Sequence, residues 1–364
     1  MSARDRLHDR LGRALRNPPD VVSMAEGLGD VDPRLLEWDA DASFWKILRR
    51  LKARLFVSRE YEHLVFSLAA PGGRPEIRWF PLPHPSGMAV DPKTGGVHVA
   101  CTRNPNMLVE FRPRGVQLPA RARFLPGRLY LHDLAWIGGR LHGNAVGENS
   151  VVELRYDEDP RRVWWPRAIG RNDFGRNVLQ LNSIAAGSTV GASFFSASCA
   201  QPGGPPPGDP AFEVDGRGVI FSGRTRKPMA EGLTRPHSLR LHRGRLWVDN
   251  SGYGEVGVVE KGKFVRVARL PGWTRGLSIV DDVLFVGTSA VLRRFRNYAP
   301  GLDLKGCRCG VHAVDLRSGR LLGSLRWPWG NQIFAVEAAP ERSSPGFPLH
   351  EGMDADAVRR LFYS

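Results

Sequence analysis

Cysteine is scarce: Cys101, Cys199, Cys307 and Cys309 are all that the 364 residues contain. They are too few and too unevenly placed to staple a chain of this length. Cys307-Arg308-Cys309 lacks the second ligand pair of a zinc finger, so the four read as reduced structural thiols. Long apolar runs are missing as well, and without about 18 consecutive apolar residues no helix spans a membrane. The N-terminal MSARDRLHDRLGRALRN carries charge where a secretory leader needs an apolar core, and Asp5 and Asp9 argue against a mitochondrial-type presequence. A cytoplasmic protein is expected. There is no P-loop, HExxH or GxSxG pattern and no dinucleotide fingerprint leading from a strand into a helix. This argues against an NTPase, a zincin protease, an α/β-hydrolase and a Rossmann oxidoreductase. Negative charge is the scarcer sign, with 37 acidic against 52 basic residues and a net charge of +15. The basic clusters are short: Arg49-Arg50 with Lys52 and Arg54, Arg224 with Arg226-Lys227, and Arg293-Arg294 with Arg296. With no recognition helix, zinc finger or RNA-binding motif beside them, they read as solvated faces, and nucleic acid is not an expected partner.

What the sequence has in abundance is a repeating β grammar. It is most legible from Gly232 to Val259, where Pro236-His237-Ser238 leads into a strand, Arg243-Gly244 turns it, and Leu246-Trp247-Val248 returns antiparallel. Asp249-Asn250-Ser251-Gly252 turns the chain again into Glu255 to Val259. Five more segments share the same polar lead before an apolar strand. They begin at His84-Pro85-Ser86, His132-Asp133, Asn182-Ser183, Arg275-Gly276 and Asn331-Gln332. Their spacing of roughly 40 to 60 residues is that of propeller blades of about four strands each. The reading is all-β, a six-bladed β-propeller. Ring closure requires a partner for the last lead, and the early strands Leu55-Phe56-Val57, His63 to Phe66 and Ile77 to Phe80 supply it. The expected organisation is an N-terminal helical extension over 1–54, the propeller over 55–340 and a tail of little strand character over 341–364. Leu7, Leu11 and Leu15, then Phe44, Trp45, Ile47, Leu48 and Leu51, form two apolar helical stripes separated by Asn17-Pro18-Pro19. The proline-rich Gln201 to Gly208 reads as an exposed, mobile loop. Arg161 to Asn177, with Trp164-Trp165, reads equally as a lid or as a loop covering a blade edge.

In a propeller the first strand of every blade lines the channel, so the leads converge on the axis. His84 or Ser86, His132, Asn182, His237, Arg275, and Asn331 or Gln332 would meet there. Imidazoles and an amide suit a borderline divalent cation, and His132, Asn182 and His237 form the expected metal set for Zn, Mn or Fe. Alternatively His132 and His237 act directly as acid and base. Arg275 can clamp a carboxylate or phosphate. His84, Gln332, Trp164 and Trp165 complete the expected substrate contacts. Asp133 could orient an imidazole, although neighbours on a strand face opposite ways. The competing reading of each lead is a polar channel residue satisfied by hydrogen bonds.

The blocks LHDLAWIGGRLH, LQLNSIAAG, GLTRPHSLRLHRGRLWVDNSGYGEV, LPGWTRGLSIVDDVLFVGTS and CGVHAVDLRSGRLLGSL resemble a bacterial family of conserved hypothetical proteins built on a domain of unknown function. The resemblance runs from about Phe44 to Ala339 and implies the propeller without a reaction. Asn182-Ser183-Ile184-Ala185 also resembles the Asn-Gly-Leu-Ala type strand of gluconolactonase and senescence-marker propellers, where the Asn helps hold a divalent metal. Two functions follow as expectations. The first is an enzyme acting on a small polar or anionic metabolite at the channel mouth, a hydrolase, lyase or isomerase, metal-assisted or not. The second is a non-catalytic scaffold binding a protein or peptide on one rim, through Trp164-Trp165 and the arginine clusters.

Overall fold

The alternation read between 232 and 259 forms the strands it predicts. Pro236–His242 pairs antiparallel with Arg245–Asn250 across a turn in which Arg243 and Gly244 both take left-handed backbone, φ 49° and 73°. That conformation matches a two-residue turn to the strand twist. Glu255–Glu260 and Lys263–Arg269 complete a four-stranded antiparallel sheet. Gly252, Gly254 and Gly257 have the G-x-G-x-x-G spacing, but Gly252 and Gly254 belong to the single 3-10 turn Ser251–Tyr253 and its end, Gly257 lies inside the strand that follows, and no α-helix opens there. They therefore build no phosphate loop.

The computed structural model describes residues 2–15, 21, 31–103, 106–125, 129–353, 356, 357, 360 and 361, so Asn17-Pro18-Pro19 lies outside the described residues. Six sheets form the blades of a closed propeller. Their innermost strands, in order from blade one to blade six, are Pro85–Val90, Leu131–Ile137, Leu181–Ala185, Pro236–His242, Trp273–Val280 and Ile333–Pro340. Each touches the next and the sixth touches the first. Closure follows the expected route: Ile333–Pro340 pairs with Ala53–Arg59, which continues to Leu64–Ala69 and Glu76–Pro81. A ring sealed by both ends of the chain has no unpaired inner edge.

Both flanking segments do more than expected. Asp39–Ala40 adds to the outer edge of blade five by pairing with Arg326 and Leu325. Leu349–His350 pairs with Trp79 and Arg78 on blade six, so the tail has strand character where it covers an open edge. Helix α1 (Ala3–Arg13) opens on a capping box between Ser2 and Asp5. It lies on the ring through buried Leu7 and His8, and the Leu11 and Ala14 carbonyls accept from Nε2 of His63 and His84 at 2.8 and 2.9 Å. Helix α2 (Ala42–Leu51) buries Phe44, Trp45 and Leu48 in the same apolar cluster as Phe285, Val311 and Leu325. No helix among the described residues is long and apolar enough to cross a membrane.

The blades approach closely at their inner strands, and Gly276 is one place that depends on this. Its φ is 84°, and a Cβ there would stand 2.6 Å from the Val336 nitrogen and 2.8 Å from the Ala335 carbonyl carbon. Gly276→Ala therefore adds a backbone clash to left-handed strain and is expected to cost about 3 kcal/mol. Urea unfolding of the variant measures this; a loss below about 1 kcal/mol would mean that blades five and six can move apart.

Candidate functional site

The channel opens into a cavity of about 360 Å³ at the end where the inner strands begin. Its wall follows a repeated register. Bulges in the first hairpin of each blade align Ser86, His132, Asn182, His237 and Arg275 with one another, and place Phe334 in the same position of blade six. Two residues earlier stand His84, Tyr130, Gln180, Arg235, Trp273 and Gln332. Four of these, His84, Tyr130, Gln180 and Arg235, have left-handed backbone at φ 43°, 53°, 52° and 52°. A non-glycine residue held there costs about 1 kcal/mol or more, and such strain is found where function fixes a side chain. In blades two to six both members of the pair line the cavity: Tyr130 with His132, Gln180 with Asn182, Arg235 with His237, Trp273 with Arg275, and Gln332 with Phe334.

Of the residues singled out from sequence, His132, Asn182, His237, Arg275 and Gln332 thus converge. The others do not line the cavity. His84 holds the Ala14 carbonyl beneath α1, and Ser86 Oγ bonds the Ala100 and Leu131 carbonyls. The Asn331 backbone N–H donates to Glu62. Trp164 ends the outer strand Arg161–Trp164 of blade two, packs on Phe195 with ring centroids 4.1 Å apart, and donates Nε1–H to the Gly223 carbonyl. Trp165 packs on Phe174 and lies under Arg226. Trp164 thus packs between blades two and three, and Trp165 lies against a turn of blade three. Asp133 does not orient His132: it accepts from the Ile184 and Leu134 backbones and faces Arg240. The proline-rich loop is not simply exposed, since Pro207 is buried and its carbonyl accepts from Arg235.

Several wall residues carry no mark in the lead pattern: Tyr61, Arg103, Arg235, Trp273, Arg294, Phe295 and Tyr298. The 3-10 helix Arg293–Tyr298 comes from within blade five and stacks Phe295 on Tyr61 and Tyr298. Of its basic cluster, Arg294 is therefore part of the cavity wall. The interleaving of arginine and aromatics in Arg293-Arg294-Phe295-Arg296-Asn297-Tyr298 was the available sign.

Charge is unevenly matched. Arg103 pairs with Glu60 at 3.0 Å, and Arg294 lies 3.8 Å from Asp9 of α1. Arg235 and Arg275, 4 % and 5 % exposed, meet no carboxylate among the described residues, and Nε of each has no hydrogen-bond partner there. Arg235 donates to Gln180, Ser198 and Pro207, all neutral, and burial draws its pKa down to about 10. Its guanidinium covers Tyr298 at 3.8 Å, and Arg275 lies over Phe334 and Trp273 at 4.3 and 4.6 Å. Burial likewise lowers Arg275. Arg275 Nη2 donates to His237 Nε2 at 3.3 Å; because a guanidinium only donates, Nδ1 of His237 carries the ring proton and donates to Ser238 Oγ at 2.9 Å. His132 and His237 lie 6.2 Å apart between ring centroids, both against Phe334. Burial, and then Arg275, hold both well below the ordinary imidazole range, so both are neutral at pH 7.

The fold and this wall define a six-bladed propeller with an arginine-lined, aromatic-walled cavity at one channel mouth. The chain belongs to the family of the domain of unknown function DUF4915, whose profile matches residues 42–347. No curated protein matches it in sequence. Among solved structures it is similar to a chain of a nidogen/laminin complex, with TM-score 0.55 at 9% identity over 79% of this chain and 98% of that one. A protein of unknown function from Bacteroides caccae gives TM-score 0.52 at 10% identity, with the same coverage of 79% and 98%. A gluconolactonase from Xanthomonas campestris gives 0.47 at 15% identity over 68% of this chain and 77% of that one. At such identities the first two likenesses speak for the fold alone.

Proposed function

We propose that the protein binds a small anionic metabolite in the channel-mouth cavity and acts on it by acid–base chemistry, as a hydrolase, lyase or isomerase. The observation that carries this reading is the pair of buried guanidiniums, Arg235 and Arg275, that face the cavity with no ion pair of their own among the described residues, Glu60 being held by Arg103. A buried charge left unpaired is costly, and a bound anion removes that cost. His237 adds a way to couple binding to chemistry. Its Nε2 lone pair is occupied by Arg275, so an anion that draws the guanidinium onto itself frees Nε2 as a base. His132, whose Nδ1 has no partner among the described residues, is the second candidate acid or base. Asn182 and Gln332 supply neutral polar contacts. The reduced, buried thiols accord with a cytoplasmic setting.

The same arrangement is a poor fit for a divalent cation at His132, Asn182 and His237. The Nε2 that would ligate it already accepts from Arg275, and Glu60, the only carboxylate lining the cavity among the described residues, is paired with Arg103. The test is thermal denaturation of the protein and of Arg275→Met with a panel of anionic metabolites. A ligand at one hundred times its Kd should stabilise the parent by about 2.7 kcal/mol. Arg275→Met should lose the response while its ligand-free stability holds or rises, because an unpaired buried charge is gone. Elemental analysis decides the alternative. One equivalent of Zn, Mn or Fe, lost in His132→Ala and His237→Ala, would replace the anion reading with a metal centre.

A further inference from the structure

The charges around the cavity are not equivalent, and their arrangement narrows the ligand. Arg103 is neutralised by Glu60 at 3.0 Å, and Arg294 is faced by Asp9 at 3.8 Å. The two lining histidines are neutral at pH 7, and burial lifts the lining Tyr61 and Tyr130 phenols above their ordinary range, so they stay protonated. What remains is Arg235 and Arg275, two full positive charges on the neighbouring blades four and five. Both are stacked on aromatic rings, Arg235 on Tyr298 and Arg275 on Phe334 and Trp273. Stacking covers the faces of a guanidinium and leaves its N–H edge as the side that can meet an oxyanion. On each edge the buried Nε–H is still without an acceptor among the described residues.

We propose that the cavity is built for a metabolite carrying two negative charges on oxygen, a phosphate monoester or a dicarboxylate, held between Arg235 and Arg275. The proposal rests on the anion reading above and sharpens it. A monoanion would leave one guanidinium buried and uncompensated, while a dianion matches both and gives each free Nε–H a charged acceptor. The cavity, at about 360 Å³, has room beyond the anionic group, and there the wall is neutral: Asn182, Gln332, Tyr130 and His132. The rest of the ligand is accordingly a small polar body with hydroxyl or carbonyl groups.

Isothermal titration of the full chain at pH 8 with methyl phosphate, malonate and acetate tests this. Above a second pKa of about 6 a phosphate monoester is a dianion. One or both dianions should bind at least about tenfold more tightly than acetate, a difference of about 1.4 kcal/mol, and whichever leads identifies the source of the charge. In Arg235→Gln, which keeps an amide toward Gln180 and Pro207 but removes one charge, the preference should collapse to within about threefold. The thermal midpoint of that variant, no lower than that of the parent, shows that folding is not the cause. Equal affinity for acetate and the dianions in the parent would overturn the two-charge proposal and leave the anion reading standing. No binding of any of the three would remove both.

Discussion

Arg240→Met is expected to destabilise the propeller by about 3 kcal/mol, and more at pH 8.5 than at pH 6. Arg240 stands on blade four and reaches across the channel below the cavity. Its Nη2 donates to Glu337 of blade six, and its Nη1 lies 3.5 Å from Asp133 Oδ2 of blade two while donating to the Leu239 carbonyl at 2.7 Å. One guanidinium thus ties three alternate blades. Breaking a buried ion pair by removing one partner costs about 3–5 kcal/mol, because the other partner stays buried and uncompensated. The lower figure applies, since the Arg240 and Glu337 side chains keep 19% and 17% of their exposure. Burial already lifts Glu337 to about 7, against the pull of Arg240, and lifts Asp133 above the usual carboxylate range. Without Arg240 both rise further. A carboxyl whose folded pKa is raised loses its contribution as pH climbs through that value, so the variant should recover part of its deficit on acidification. Urea midpoints at the two pH values measure the effect, and Arg240→Met with Glu337→Leu should restore much of the loss. A pH-independent deficit would mean that Arg240 acts through packing alone.

Acid should weaken the parent protein steeply below about pH 6. Burial holds His63 down to about 3 and His98 and His312 to about 4, and keeps His132 and His237 well below the ordinary value. Unfolding returns each to about 6.5, so the unfolded chain takes up protons that the folded chain refuses, and stability falls by about 1.4 kcal/mol per pH unit for each proton. Asp133, Asp249 and Glu337 work in the opposite sense, since burial raises all three and the folded chain holds their protons. His8, His142 and His242 are lowered by burial as well, so lowered histidines outnumber raised carboxylates eight to three among the described residues and acidification brings a net uptake of several protons. The expected slope is at least about 2–3 kcal/mol per pH unit between pH 6 and 5. His312, which bonds Thr288 and Ser324 at 2.8 Å each, lies away from the cavity. His312→Gln should make the slope shallower by about one proton. Denaturant midpoints that stay level from pH 7 to 5 would show that these imidazoles are free to charge in the folded state.

Much of this molecule could be read without coordinates, because the deciding quantities are local. Strand alternation, the Arg243-Gly244 turn and the recurrence of a polar lead every few dozen residues depend on neighbours in sequence. They specify six blades and a ring closed by early strands. Of the two apolar stripes, Leu7 and Leu11 lie in α1 and Phe44 to Leu51 in α2, whereas Leu15 falls beyond the end of α1 with left-handed backbone. The leads His132, Asn182, His237 and Arg275 reach the cavity because a blade repeats its geometry as it repeats its sequence.

The tertiary structure decided what depends on partners from other blades. Left-handed backbone before the inner strands brings the earlier residues Tyr130, Gln180 and Arg235 to the wall beside the leads. A helix from within blade five adds Arg294, Phe295 and Tyr298, while Trp164 and Trp165 pack against blade three, away from the cavity. Above all, composition shows an excess of arginine but cannot say which of them are neutralised. Arg103 finds Glu60 and Arg240 finds Glu337, whereas among the described residues the hydrogen-bond acceptors of Arg235 and Arg275 are neutral and aromatic rings cover both. Ion pairing depends on distances of a few ångströms between residues far apart in the chain, and closing the ring sets those distances.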